Sequence, residues 1–127
     1  MQEQQLFEYA VIRVVPRVER EEFINVGLIL FCKKLNYLGV KYIIDEEKIR
    51  SVSSDIDIAC LRESLSSLQK ISEASHEGGP IAKLDTPERF RWLTATRSTI
   101  LQTSRVHPGL SFDPEKTLQK LFETLVL

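Results

Sequence analysis

The densest group of chemically capable side chains lies between residues 97 and 109, which read RSTILQTSRVHPG. Arginine forks, hydroxyls, an amide and an imidazole in one stretch can hold a phosphate or an acidic peptide through charge-assisted hydrogen bonds. The candidate binding residues of this stretch are Arg97, Ser98, Thr99, Gln102, Thr103, Ser104, Arg105 and His107. The same residue types also satisfy backbone groups in ordinary turns. The segment is therefore either a binding site or a structural loop.

Three polar residues nearer the N-terminus are further candidates for binding a ligand or partner. Arg13 interrupts an otherwise apolar strand, so its guanidinium either pairs with Glu21 or Glu22 or is open to an anionic ligand. Asn25 precedes the second apolar run, where an amide either bonds loop backbone or contacts a ligand. Arg17, in the loop between them, completes the set.

Catalytic and metal-binding constellations are not visible in the sequence. His76 and His107 lie thirty-one residues apart, and Cys32 and Cys60 have no zinc-ligand spacing. Neither Ser98 nor any other serine stands in a Gly-x-Ser-x-Gly elbow. The sequence favours a non-catalytic protein and predicts no metal and no cofactor.

Composition places the chain among globular domains. It has 127 residues, of which 43% are hydrophobic and 28% charged, as expected for one domain spanning residues 1–127. The two cysteines form no Cys-x-x-Cys pair and the N-terminus does not resemble a signal peptide, which predicts a cytoplasmic protein with free thiols. The longest apolar run stops at Lys33 and Lys34, short of the roughly 18 residues of a membrane span.

A net charge of −1 conceals an uneven distribution. Residues 83–107 carry five basic and two acidic side chains, a balance of +3, whereas residues 45–77 carry four basic and eight acidic ones, a balance of −4. A basic segment attracts phosphate, but five charges are few for a dedicated nucleic-acid-binding protein. We expect solvated faces with internal ion pairs, and nucleic acid is a less favoured partner than protein.

Three strands are predicted in the first third of the chain. Tyr9–Val15 and Val26–Cys32 are apolar on both faces, as in central strands covered by helices or by a second subunit, so a homodimer is an open possibility. Tyr37–Ile44 alternates and lies nearer an edge. Lys33–Asn36 is short enough for a hairpin, which predicts an antiparallel meander. Gly27 permits close approach by another chain segment or a ligand.

Helices are predicted after the strands. Apolar residues from Ile58 to Ile71 recur every three or four positions, with Asp55 or Asp57 as N-cap and Gly78-Gly79-Pro80 as the end. Two further helices start at Thr86-Pro87-Glu88 and Asp113-Pro114-Glu115, where Thr86 and Asp113 are the predicted N-caps and a proline takes the first helical position. Thr99–Ser104 is a possible fourth strand. The sequence therefore predicts an α+β fold, in which amphipathic helices cover an antiparallel sheet of three to four strands.

Several blocks together resemble one bacterial family. They are the Tyr9–Cys32 block, the Gly79-Pro80-Ile81 turn, the Arg89-Phe90-x-Trp92-Leu93 helix, the Arg97–Gly109 block and the C-terminal helix. This combination resembles the domain-of-unknown-function family numbered 3037, a family of small stand-alone proteins with no assigned function. The resemblance also implies a partner, because some members are associated with genes for kinases similar to HipA.

Two functional hypotheses follow. The first is a non-catalytic partner or regulator of another protein, which the family resemblance would make a HipA-like kinase. The second is an anion-binding or nucleic-acid-binding protein, or an enzyme acting on a phosphorylated substrate, that uses Arg13, Arg97, Arg105 and His107. Convergence of these four side chains in one pocket would favour the second hypothesis, whereas pairing of Arg13 with Glu21 or Glu22 would count against it.

Overall fold

One antiparallel sheet of five strands organises the described part of the chain. A computed structural model describes residues 3–17, 20, 22–95 and 100–127. The strands are β1 (Gln5–Val14), β2 (Ile24–Cys32), β3 (Tyr37–Tyr42), β4 (Leu101–Thr103) and β5 (His107–Ser111). Their order is β3-β2-β1-β4, and β5 pairs with the other end of β1. The predicted α+β class and the N-terminal meander are confirmed, with five strands in place of three or four.

The pairing of the two central strands is interrupted once. Ile12 stands opposite Gly27, but the next residue, Arg13, stands opposite Asn25. β2 therefore carries one extra residue, Val26, at this point, which makes a β-bulge. Bulges redirect the side chains around them, and this one sets two of the predicted site residues beside each other on neighbouring strands.

Gly27 lies where β3 approaches β2 most closely. A Cβ atom at this position would stand 2.8 Å from the Lys41 carbonyl oxygen and 3.0 Å from Tyr42 Cβ. The sequence left open whether Gly27 makes room for another chain segment or for a ligand. The structure places another segment of the same chain, β3, against it.

Helices lie on both faces of the sheet. One face carries α1 (Glu46–Val52), α2 (Ile58–Ser72) and α3 (Thr86–Leu93), and the other carries α4 (Pro114–Leu125). Each face has its own buried cluster. Ile12, Ile29 and Leu65 belong to the first, and Val11, Leu28 and Leu118 to the second. Helices on each side therefore account for the apolar character of β1 and β2 without a second subunit.

Aspartates begin the helices of the described residues. The side chain of each one accepts a hydrogen bond from a backbone N–H of the first turn: Asp45, Asp57, Asp85 and Asp113. Asp57 and Asp113 confirm the prediction, but α3 is capped by Asp85 and not by Thr86. None of the helices in the described part of the chain is long and apolar enough to cross a membrane.

The end of α2 differs from the prediction. The helix stops at Ser72, before Gly78-Gly79-Pro80, and two short 3-10 turns at His76–Gly78 and Pro80–Lys83 lead on to α3. Ala74 already has a left-handed φ of 56°. The carboxyl end of α2 is held by a residue distant in sequence, because the Ile71 and Ser72 carbonyls accept hydrogen bonds from the Arg89 side chain.

The polar stretch near residue 100 contributes two short strands. β4 lies within the predicted strand Thr99–Ser104 and pairs with Ile12, Arg13 and Val14 of β1. β5 was not predicted, because His-Pro-Gly is a typical turn sequence. It forms because Gly109, opposite Phe7, leaves room for the Phe7 ring, which closely contacts the position a Cβ would occupy.

Candidate functional site

Three of the predicted polar residues form a row across three neighbouring strands. Arg13 of β1 stands opposite Asn25 of β2 on one side and opposite Gln102 of β4 on the other. Asn25 Nδ2 donates to the Leu125 carbonyl oxygen at 3.0 Å, which places the amide on the α4 side of the sheet. Directly paired residues share a face, so the row lies on that side, at the carboxyl end of α4.

Two buried atoms in this row have no hydrogen-bond partner among the described residues. They are Arg13 Nε, a donor, and Asn25 Oδ1, an acceptor. The guanidinium carbon of Arg13 lies 4.2 Å from the centre of the Phe23 ring, a cation–π contact. Leaving a buried polar group unpaired costs about 1–3 kcal/mol. Both atoms have almost no accessible surface, so neither is open to a ligand in this fold.

The alternative in which Arg13 pairs with Glu22 is not observed. The Glu22 carboxylate pairs with Arg20 at 2.8 Å, and both side chains are largely exposed. The other predicted partner, Glu21, lies outside the described residues.

Several residues of the 97–109 stretch are structural. Ser104 is buried, its Oγ accepts from the Val11 N–H at 2.9 Å, and its own N–H donates to the Val11 carbonyl at 2.8 Å. Thr103 Oγ1 donates to the Thr94 carbonyl at 3.4 Å. These bonds hold β4 against β1 and α3. For these residues, the structure therefore favours the structural-loop alternative over a binding site.

The remaining candidates of that stretch separate in space. The His107 ring lies 5.2 Å from the Tyr9 ring, where β5 pairs with β1, and Arg105 is exposed. Arg97, Ser98 and Thr99 lie outside the described residues. His107 stands opposite Tyr9, four residues along β1 from Arg13, or about 13 Å at 3.3 Å per residue, so these two predicted residues do not converge.

Arg17 belongs to a different surface. It lines a polar cleft of about 360 Å³ together with Arg20 and Arg50, and the acids Glu22 and Asp55 lie in the same cleft. Three cations and two anions leave this cleft with a small positive balance, and the carbonyl end of α1 faces it. The charge of this cleft therefore does not indicate a particular class of ligand.

A large concave surface lies along the outer edge of β3. A groove of about 1070 Å³ follows the whole strand. One wall comes from the end of α2, with Gln69, Ser72 and Glu73, and the other from the start of α4, with Asp113, Glu115, Lys116, Leu118 and Gln119. The sequence predicted an edge position for this strand but not the groove, because its walls come from segments about 30 and 75 residues downstream.

Hydrogen-bond parity shows which groups of β3 face the groove. The N–H of Ile43 donates to the Val26 carbonyl oxygen at 2.8 Å, so that pair is a hydrogen-bonded one. Bonded and non-bonded pairs alternate along antiparallel strands, which directs the backbone groups of Leu38, Val40 and Tyr42 away from β2. Since β3 is the edge strand of the sheet, these groups point into the groove.

The groove floor combines apolar and charged side chains. Lys41 donates to Gln119 and lies 5.3 Å from the centre of the Phe122 ring, so its charge is already engaged. Burial raises the pKa of the Tyr37 hydroxyl, and the carboxylates of Glu115 and Asp113 raise it further. The groove therefore favours uncharged hydrogen-bonding groups along its floor.

The described residues contain no cluster of metal ligands. No group of three or more His, Cys, Asp or Glu side chains there stands close enough to share a metal ion. Cys32 is buried and Cys60 exposed, and both thiols are free.

Comparison with known proteins identifies a family. A family model described as "Protein of unknown function (DUF3037)" matches residues 9–126. No curated protein and no solved structure matches the chain. The match covers nearly the whole chain and includes all the blocks that carried the resemblance in the sequence. The chain therefore belongs to the DUF3037 family.

Proposed function

We propose that this protein is a non-catalytic binding partner of another protein, and that it binds an extended segment of that partner along the open edge of β3. The observation that carries the proposal is the six-residue edge strand at the floor of a groove of about 1070 Å³. An extended peptide that pairs with an exposed edge gains main-chain hydrogen bonds, a recurrent mode of protein recognition.

The length of the edge sets the length of the segment. Leu38, Val40 and Tyr42 each offer an N–H and a C=O on the outer side, and a strand rises about 3.3 Å per residue. A partner segment of about six residues would therefore pair with the full strand. Alternate side chains of that segment would point toward α2 and toward α4.

The walls favour a single inserted strand over a second copy of the chain. Paired strands lie about 4.8 Å apart. Because residues of α2 and α4 line the groove on both sides of β3, two copies meeting edge to edge would bring their helices together first. A homodimer through this edge is accordingly the less favoured alternative.

The charge of the groove walls and the family resemblance together suggest the class of partner. Glu73, Asp113 and Glu115 face Lys41 and Lys116, a balance of −1 in the groove, which suits a segment that carries one or two basic side chains. The family resemblance suggests a kinase similar to HipA as the protein that carries it. This protein would then regulate the kinase by binding an extended segment of it.

The experiment that tests the site uses two substitutions at one position. Leu38→Pro removes an outward N–H while sparing the bonds to β2, because that N–H is not part of the β2 ladder. Leu38→Ala removes similar side-chain packing but keeps the N–H. A displayed library of random decapeptides, selected on the wild-type protein, supplies the probes, and their affinities for both variants are measured.

We expect selected peptides to bind Leu38→Ala within a few-fold of wild type and Leu38→Pro at least about tenfold more weakly, as for the loss of one or two backbone hydrogen bonds. Equal binding to the two variants would refute edge pairing. The HipA-like kinase is tested separately by co-purification with tagged wild-type, Leu38→Ala and Leu38→Pro proteins. Loss of the kinase from Leu38→Pro alone supports that assignment, and its absence from wild type removes it.

The second hypothesis, binding of phosphate or nucleic acid by a cluster of Arg, His, Ser and Thr, is supported less. Among the described candidate residues, His107 stands opposite Tyr9 and not Arg13, Arg105 is exposed, and Ser104 is bonded within the fold.

A further inference from the structure

The side chains of β3 that face α4 form a row along the floor of the groove. Tyr37 packs against the buried cluster on the α4 side, and a Cβ atom at Gly39 would lie 2.9 Å from Leu118 of α4. Lys41 donates to Gln119 of the same helix. Because alternate residues of a strand share a face, a segment that pairs with β3 presents every second side chain along this row.

The row carries opposite charges at its two ends, because α4 runs beside β3 in the same direction. Near the start of the strand, the Glu115 and Asp113 carboxylates act on the Tyr37 hydroxyl. Near its end, the Lys41 ammonium lies 5.3 Å from the centre of the Phe122 ring. The α4 side of the groove is therefore acidic beside Tyr37 and basic beside Lys41.

Glu115 is the acid at this end that can bind a cation. Its side chain is exposed, lines the groove and forms no salt bridge with a described residue. Asp113 instead accepts hydrogen bonds from the N–H groups of Glu115 and Lys116 as the cap of α4. Lys116 also lines the groove, but neighbouring residues of a helix do not face each other, so it is not an ion-pair partner of Glu115.

The position opposite Gly39 brings a bound side chain to this carboxylate. The Tyr37 hydroxyl lies 2.5 Å from the point that a Gly39 Cβ atom would occupy, so it lies over Gly39. Because Glu115 acts on the same hydroxyl, a side chain directly opposite Gly39 meets both groups. The next residue on that face, two positions along, stands opposite Lys41, where a second cation would be repelled.

We propose that the segment bound along β3 carries a lysine or arginine opposite Gly39 and an uncharged or acidic residue opposite Lys41. This assignment rests on the edge pairing proposed above, and it fixes where along the segment the basic residue lies. The cation pairs with the Glu115 carboxylate and donates to the Tyr37 hydroxyl oxygen. Charges of opposite sign two residues apart on one face thus set the register of the segment on β3.

Selection of a displayed library of random decapeptides on the wild-type protein tests the position. We expect lysine or arginine to be enriched about two- to fivefold at one position of the aligned peptides, as for an exposed ion pair, and to be depleted two positions away. Selection on Lys41→Gln should remove the depletion, because the repelling charge is gone, and should leave the enrichment unchanged.

Reversal of the charge at Glu115 tests which group binds the cation. One selected peptide is made with lysine or with glutamate at the enriched position, and the affinity of each form is measured. Wild type should bind the lysine form more tightly, and Glu115→Lys the glutamate form. Glu47→Lys should keep the wild-type preference, because Glu47 is also exposed and also the second residue of a helix but does not line the groove.

The assignment is overturned if basic residues are enriched at no single position, or if Glu115→Lys keeps the wild-type preference. If the same peptides then still bind Leu38→Ala but not Leu38→Pro, edge pairing stands and only the position of the charge is wrong. Equal binding to Leu38→Ala and Leu38→Pro removes the proposed function, and the assignment with it. The selection uses the wild-type protein, so it decides the question even if Glu115→Lys does not fold.

Discussion

Arg89 closes the carboxyl end of α2 from a neighbouring helix. Its Nη1 donates to the Ile71 and Ser72 carbonyls at 2.9 and 2.8 Å, and its Nε donates to the Leu84 carbonyl at 3.1 Å. A fourth bond runs from Nη2 to Thr86 Oγ1. A buried cation is favourable at the negative end of a helix, and with four hydrogen bonds this side chain ties three segments together.

Replacing Arg89 by methionine should lower the free energy of unfolding by about 3 kcal/mol or more, because buried carbonyls lose charged donors. Arg91→Met, at an exposed arginine of the same helix, should change it by no more than about 0.5 kcal/mol. Denaturant unfolding of both variants measures the difference. Equal stabilities would mean that water replaces the guanidinium at little cost.

At the residue scale, sequence reasoning identified side chains more easily than their partners. Arg89 contributed to a basic segment in the charge count, but the two acceptors at the end of α2 lie 17 and 18 residues away and have no local signature. Arg13 and Asn25 were recognised because each breaks an apolar pattern. Their adjacency depends on the strand register and on the bulge, which neither residue encodes alone.

At the scale of elements, the sequence predicted the strands and helices whose formation depends on residues close together in the chain. β2, the α2 stripe and the aspartate–proline start of α4 follow from period and capping. β5 escaped prediction because its strand character comes from the place it fills beside β1 and not from its own Pro-Gly sequence. The early stop of α2 likewise depends on a side chain from α3.

The junction between β3 and α4 centres on Tyr37. Its hydroxyl would closely contact a Cβ atom at Gly39, and the first turn of α4 lies nearby. Burial raises the pKa of Tyr37 above its ordinary value of 10.0, and the Glu115 and Asp113 carboxylates add to this effect. The folded protein thus resists loss of this proton more than the unfolded chain does.

The stability linked to Tyr37 should be fully present below pH 10.0 and should fall as the pH rises through the higher folded pKa. Tyr37→Phe has no proton to lose, so its free energy of unfolding should fall less than that of wild type across the same range. Glu115→Gln should give an intermediate fall. Denaturant titrations in alkaline buffers measure all three, and parallel curves for wild type and Tyr37→Phe would contradict the assignment.

At the scale of the whole molecule, the two layers share their central strands. Alternate residues of β1 and β2 enter opposite clusters: Ile12 and Ile29 face α2, while Val11 and Leu28 face α4. A strand cannot leave one cluster without leaving the other. We therefore infer that the α4 layer and the α2 layer unfold together, even though α4 stands alone on its face among the described helices.

Leu65→Ala in the first cluster and Leu118→Ala in the second should each lower the free energy of unfolding of the whole protein by about 2–5 kcal/mol. The single tryptophan, Trp92, lies on α3, so its fluorescence reports the α2 layer, whereas far-ultraviolet circular dichroism reports all helices. Both signals should change at the same denaturant concentration in each variant, as two-state unfolding requires. Leu127→Ala, at a side chain that is 66% exposed, should leave the midpoint nearly unchanged. A separate early loss of helical signal in Leu118→Ala, with Trp92 unaffected, would show instead that α4 detaches from a sheet that the other three helices hold together.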